Sequence, residues 1–268
     1  MVPVVDLTRR HRRYEEPFVA ATRRVLASGT VLLGAETAAL EGELPAALHR
    51  DGGPGEHAVA VASGGSGLQL ALAALGVGRG DEVIVPAFTA VPTASAVCAV
   101  GARPVPVDVD EQTAGVDPAA VAAAVTPATA AIIAVHLYGR PADVTPLLAH
   151  GNPVVEDAAQ AHGALRRITG AAVVYSFYPT KNVGGVGDGG AVITADADVA
   201  TTIRRLRTHG LAEQYVHTEI SQNHRLSELE AAWLRLQLPA LAADNARRAA
   251  IARRYRAAAP DQCWQADH

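Results

Sequence analysis

"HAVAVASGGSGLQLALAALGVGRGDEVIVP", residues 57–86, decides the fold. "HAVAVAS" is short, apolar and β-branched at alternate positions, which predicts a buried strand. "GLQLALAALGVG" carries leucine and alanine at helical spacing and closes on glycine, which predicts a helix. "DEVIVP" predicts a second buried strand. Strand, helix and strand in so short a span form a βαβ unit, and its two strands can share a sheet only in parallel.

The alternation continues downstream. "TAVPTASAVCAVG" (89–101) predicts a helix, "RPVPVDVD" (103–110) a strand and "DPAAVAAAV" (117–125) a helix capped by Asp117. "AAIIAVHLYG" (130–139) predicts a strand, "ADVTPLLAH" (142–150) a helix and "PVVEDAA" (153–159) a strand. Beyond residue 170 the pattern changes. "AAVVYSFY" (171–178) and "GGAVITA" (189–195) predict two strands with a loop between them, and "DADVATTIRRLRTHG" (196–210) a helix. Residues 227–258 are mostly helical, with a break at Pro239. Upstream, "EEPFVAATRRVLASG" (15–29) and "ETAALEGELPAALH" (36–49) predict two helices, the first stopping at Gly29. The expected class is α/β, a three-layer α/β/α sandwich around a mostly parallel central sheet.

Composition agrees. The 268 residues are 49% hydrophobic but only 4% aromatic, so the core must be built from Val, Leu, Ile and Ala. A net charge of -4 gives no footprint for nucleic acid. Cys98 and Cys263 are far apart and match no metal or redox spacing, so no metal site is expected. The charged opening "MVPVVDLTRRHRRYEE" does not suit a signal peptide, and no apolar run is long enough for a bilayer. A cytoplasmic location without membrane attachment is the expectation.

Ligands of open α/β sheets sit beyond the carboxyl ends of the strands, and three segments fall there. In "VASGGSGLQLAL" (61–72), Ser63, Gly64, Gly65 and Ser66 lead into a helix, a turn able to cradle a phosphate or simply to join two elements. In "VVEDAAQAHG", Asp157 ends a strand, where a carboxylate either meets a cation or caps a helix. In "YSFYPTKNVGGVGDGG" (175–190), Ser176, Thr180 and Lys181 lie between two strands. Lys181 is the sole lysine in a chain that otherwise uses arginine. Arginine stays charged, whereas lysine can become a nucleophilic amine. Gly185, Gly187 and Gly190 satisfy G-x-G-x-x-G, but a strand follows them where a dinucleotide loop would lead into a helix. Anion cradle, carboxylate and amine together suit pyridoxal 5'-phosphate, which carries a phosphate, a ring cation and an aldehyde.

The stretches "GARPVPVDVD", "VHLYGRPADV", "VEDAAQAHGA", "SFYPTKNVGGVGDGGAVIT" and "NHRLSELEAAWLRLQLP" resemble, in order, the DegT/DnrJ/EryC1/StrS sugar aminotransferases. That family has the aspartate aminotransferase type I fold. The resemblance implies that Lys181 forms the Schiff base and shuttles the proton, and that Asp157 pairs with the pyridinium nitrogen. It implies that Gln160 lies by the ring or its phenolic oxygen, and that Ser176, Gly64, Gly65 and Ser66 hold the phosphate. It implies that Asn223 reaches the phosphate of a neighbouring subunit, hence a homodimer with shared active sites. His162 has either no assigned role or a structural one. The implied reaction moves an amino group from glutamate or glutamine to a keto sugar, such as a nucleotide-diphosphate-linked deoxysugar of antibiotic or surface-glycan biosynthesis. Alternatives are a keto-cyclitol acceptor, or a degenerate cofactor-binding regulator or scaffold. Lysine at 181 speaks against the dehydratases of the family, which carry histidine there.

Residues 1–240 would form the cofactor-binding large domain, and 241–268 the opening of a small C-terminal domain that is incomplete. "APDQCWQADH" (259–268) reads as a cut, about a hundred residues before relatives end. The segment from His162 to Ser176 is about five residues shorter than usual. Ala90 stands where the family carries an aromatic that stacks on the cofactor, with Phe88 two residues before it. Gly65 stands where a threonine is usual.

Overall fold

The computed structural model describes residues 5–259 and Gln265. Cys263, and most of the stretch read as a cut, lie outside the described residues. Seven strands form one sheet: β1 (His57–Val61), β2 (Glu82–Pro86), β3 (Arg103–Val107), β4 (Thr129–Val135), β5 (Val154–Asp157), β6 (Ala172–Ser176) and β7 (Gly190–Thr194). Their order is β1-β7-β6-β5-β4-β2-β3. The pairs from β6 to β3 are parallel, and β7 runs against both its neighbours. The mostly parallel sheet predicted from the alternation is therefore present.

Alternate residues of each strand face opposite layers. Val59, Val61, Ile133, Val155, Val174 and Val192 meet one layer. It is built from α3 (Gly64–Ala74), α4 (Val91–Ala99) and α7 (Ala197–Leu206). Ala58, Ala60, Val173, Tyr175 and Ile193 face the other. There α2 (Ala35–Leu48) and α8 (Glu228–Gln237) pack, with α1 (Leu7–Ser28) lying on α8. α5 (Pro118–Ala124) and α6 (Thr145–Leu148) cover the β3 side of this face. A 3-10 turn (Leu238–Ala240) with Pro239 at its start separates α8 from α9 (Leu241–Ala258), as the proline predicts.

Three helix boundaries and one hairpin stand out against expectation. α1 begins at Leu7 because Asp6 caps it, accepting from the Arg9 N–H at 3.0 Å. α3 begins at Gly64, so Gly64 and Gly65 lie in its first turn and not in a preceding loop. The helix expected over 142–150 shrinks to the single turn of α6, of which only Leu147 is buried. A small hairpin, β8 (Leu211–Glu213) with β9 (Val216–His217), was not anticipated.

α2 and α8 are locked by one carboxylate. Glu228 accepts from the N–H groups of Gly34, Glu36 and Thr37, at 2.9, 2.8 and 2.9 Å, and from the Thr37 hydroxyl. Gly34 at the N-cap offers no side chain, so an anion from a distant helix satisfies the orphan donors of α2. These hydrogen bonds hold the Glu228 carboxyl below its ordinary pKa although burial opposes them.

Candidate active site

The carboxyl ends of β1, β5 and β6 lie at one edge of the sheet. Val61 and Ser176 each pair with Gly190, and Asp157 pairs with Val174. Asp157 and Ser176 follow Val155 and Val174 at period two, so both face the α3–α4 layer. The three segments singled out in the sequence thus converge.

Asp157 is 7% exposed. Its Oδ1 accepts from the Ala159 N–H at 3.0 Å and its Oδ2 from the Thr93 hydroxyl at 3.3 Å. Burial pushes its pKa up. The Ala159 N–H, then the charges of His136 and Lys181, then Thr93, work against that rise. Thr93 is fully buried in α4 and is steadied by the Thr89 hydroxyl at 2.8 Å. Sequence reasoning missed Thr93, whose one signal is a threonine on the buried face of a mostly apolar helix.

Lys181 is half-buried, and its backbone N–H donates to the Tyr178 carbonyl at 2.8 Å. Burial lowers the ammonium pKa and the nearby Asp157 charge raises it. A desolvated amine loses its proton more easily, which a nucleophile requires.

Ser63 caps α3. Its Oγ accepts from the Ser66 N–H at 3.0 Å and donates to the Ser66 Oγ at 3.0 Å. Among the described residues, the N–H groups of Gly64 and Gly65 have no protein acceptor, so two donors of this helix N-terminus are free. A Cβ on Gly64 would lie 2.7 Å from the Ser176 Cβ, so only glycine lets the helix start touch β6. Around Gly65 there is room, the nearest atom to a Cβ being 3.7 Å away. The Ser176 Oγ accepts from the Tyr178 N–H at 3.3 Å.

Gln160 and Lys181 line a cavity of about 970 Å³ that also touches Tyr138, His162 and Arg248. The Gln160 Oε1 accepts from the Tyr138 N–H at 2.8 Å, which leaves the amide NH₂ for a ligand. His162 is buried, and its Nδ1 accepts from the Val183 N–H at 3.1 Å. Burial, then the Lys181 charge, lowers its pKa to about 3, so it supports the lysine loop as a neutral ring. Asn223 is not brought to this site; it is exposed and accepts from the Arg225 Nε at 2.9 Å. Ala90 is the exposed N-cap of α4. Phe88, 51% exposed, meets the Tyr138 ring edge-on at 6.5 Å.

The sequence profile of the DegT/DnrJ/EryC1/StrS aminotransferase family matches residues 13–261. The chain belongs to this family. The aminotransferases of this family depend on pyridoxal phosphate, and this chain is an aminotransferase. It is 48% identical over 263 residues to the dTDP-3-amino-3,4,6-trideoxy-alpha-D-glucose transaminase of Streptomyces venezuelae, covering 95% of this chain and 68% of that protein. It is also 48% identical to the erythromycin biosynthesis sensory transduction protein EryC1 of Saccharopolyspora erythraea, covering 95% and 70%. Among solved structures, S. venezuelae DesV in complex with a ketimine intermediate superposes with a TM-score of 0.90 at 44% identity, over 96% of this chain and 71% of that one.

The residues present fit pyridoxal phosphate. A half-buried amine with a lowered pKa lies close enough to a buried carboxylate for each charge to shift the other. Two unclaimed N–H groups of a helix N-terminus sit at the same edge, against Ser176.

Proposed function

We propose that the chain transfers an amino group from glutamate or glutamine to a keto sugar carried on a nucleotide diphosphate. Similarity to the dTDP-sugar transaminase supports the acceptor class. One observation carries the site assignment: the only lysine of the chain is partly desolvated beside a buried aspartate. When bound, pyridoxal phosphate supplies an electron sink for the carbanion formed by α-proton loss.

The chain's own residues have separable tasks. Lys181 would hold the cofactor covalently through Nζ and, once released by the donor, move the α-proton, its burial favouring the neutral base. Asp157 would face the ring nitrogen and keep it protonated. Its own pKa is raised by burial, so the Ala159 N–H and the Thr93 hydroxyl matter for keeping it ionised. The Gly64 and Gly65 N–H groups, with Ser176 and Ser66, would hold the phosphate in the field of α3. Gly65 brings no hydroxyl, whereas the Ser66 hydroxyl, which accepts from Ser63, keeps its own O–H to donate to a phosphate. Gln160 would offer its NH₂ to the ring or its phenolic oxygen. Asn223 would serve a second subunit's phosphate in a homodimer, which accounts for its exposed place away from its own site. We assign residues 1–240 to the cofactor domain and 241–268 to the start of a smaller one. A regulator that binds the cofactor without turnover is the alternative, favoured by the exposed Ala90 in place of a stacking aromatic.

Purified chain mixed with pyridoxal phosphate should turn yellow, and glutamate should bleach it. Borohydride reduction followed by peptide mapping should find the adduct on Lys181, and Lys181→Arg should abolish the colour. Colour that glutamate leaves untouched would favour the regulator. An adduct elsewhere would remove the assigned anchor.

A further inference from the structure

The loop carrying Lys181, residues 177–189, has no regular secondary structure, yet its backbone is tied down almost residue by residue. The Gly185 N–H donates to the Phe177 carbonyl at 2.7 Å, and Arg10 donates to the Pro179 carbonyl at 2.6 Å. The densest ties come from a single face of α8. The Trp233 Nε1–H and the Gln237 Nε2–H both donate to the Gly184 carbonyl, at 2.8 and 2.7 Å, and Gln237 Oε1 accepts from the Gly184 N–H at 3.3 Å. Glu230 Oε1 accepts from the Val186 N–H at 3.0 Å and its Oε2 from the Gly187 N–H at 3.1 Å. Residues 230, 233 and 237 stand at i, i+3 and i+7, one stripe of the helix. A Cβ on Gly185 would overlap Glu230 Oε1, so glycine is what lets the carboxylate reach the loop.

We infer that Glu230 is a positioning residue for Lys181: its ionised carboxylate clamps the Val186 and Gly187 N–H groups, and its protonation loosens the lysine loop. The inference rests on Lys181 being the cofactor anchor.

Glu230 is 6% exposed, and burial raises its pKa to about 7 although both N–H groups pull it down. Groups on the surrounding elements do not neutralise it. The loop contributes Asp188, whose charge pushes the value further up. α1 brings Arg10 to Pro179, and His11 and Tyr14 to the Trp233 ring. α2 brings Glu36 and Glu43, both engaged by Arg235 on another face of α8. Among the described residues no cation pairs with Glu230. Above pH 7 the carboxylate accepts both hydrogen bonds. Below it one oxygen carries a proton, and one buried N–H faces a poor acceptor.

Amide hydrogen exchange of the cofactor-free full chain tests the clamp, corrected for intrinsic rates and measured on either side of pH 7. In the parent chain, protection of the Val186 and Gly187 amides should fall about tenfold on acidification, the effect of one lost hydrogen bond. Glu230→Gln should show the lower protection at both pH values, since its amide offers one acceptor oxygen. In the pyridoxal phosphate-loaded chain, Glu230→Gln should shift the pH midpoint of the visible absorbance band. Protection that ignores both pH and the substitution overturns the clamp, and the parent chain alone decides this if the variant does not fold. Loosened amides with an unmoved midpoint reduce Glu230 to a structural residue and overturn the positioning role. A visible band that survives Lys181→Arg removes the anchor and the role with it, whatever the amides do.

Discussion

Thr93 and Asp157 show what a single hydroxyl contributes at this site. Thr93→Val keeps the shape and removes a donor from a buried carboxylate, at a cost of about 1 kcal/mol of stability. It should also raise the Asp157 pKa further and weaken pyridoxal phosphate binding several-fold, measured by absorbance titration; unchanged affinity would mean that Thr93 only packs. His162 carries a separate pH signature. Its folded pKa of about 3 lies below the free value of 6.5. The unfolded chain therefore takes up a proton that the folded chain refuses, and the stability present above pH 6.5 is lost as pH falls toward 3, with a slope up to about 1.4 kcal/mol per unit. His162→Asn can still accept from Val183 and should flatten that slope in denaturant melts at several pH values; identical slopes would contradict a buried neutral ring. Glu230 has the opposite sign for global unfolding, because burial outweighs its two N–H bonds: its raised pKa favours the fold at low pH, and that contribution fades as pH rises through about 7. The local clamp follows the N–H bonds alone, which favour the ionised carboxylate, so release of the loop around a still-buried Glu230 is promoted by protonation. Lys181 was legible in the sequence because it stands alone among arginines. Thr93 and Glu230 were not, because folding alone brings the Thr93 hydroxyl of α4 to Asp157 at the end of β5 and the Glu230 carboxylate of α8 to the lysine loop.

Helix ends are where the elements are secured. Ser63→Ala removes the α3 cap and should cost about 1 kcal/mol. Glu228→Ala leaves three N–H groups at the start of α2 without their anion, and should cost about 2–3 kcal/mol. Thermal denaturation of both variants checks the order, and a larger loss for Ser63→Ala would reverse it. The strands were legible from their short apolar runs, and α9 from the break at Pro239. The helix expected over 142–150 was not sustained beyond one turn, because only Val144 and Leu147 enter the core. The β8–β9 hairpin escaped notice because its strands are two and three residues long and mostly exposed. The first turn of α3 was missed because two glycines disguise it, and the Ser63 cap makes it helical all the same.

At the level of the whole molecule, the sheet order gathers residues from β1, β5, β6 and their loops, while Asn223 stays outside. If sites are shared, Lys181→Arg and Asn223→Ala chains, each impaired alone, should regain activity when mixed, since a mixed dimer contains one intact site. Failure to complement under conditions that exchange subunits would assign Asn223 to its own surface. No helix among the described residues is long and apolar enough to cross a membrane. The antiparallel β7 has a consequence of its own. Ser176 and Gly190 are paired on a single rung, so the segment carrying the lysine departs from and returns to one point of the sheet. The Lys181 amine therefore hangs on a handle with both feet on the same step, next to the strand that bears Asp157. Loops elsewhere can lengthen, shorten or be exchanged while the separation of amine and acid is kept by the sheet itself.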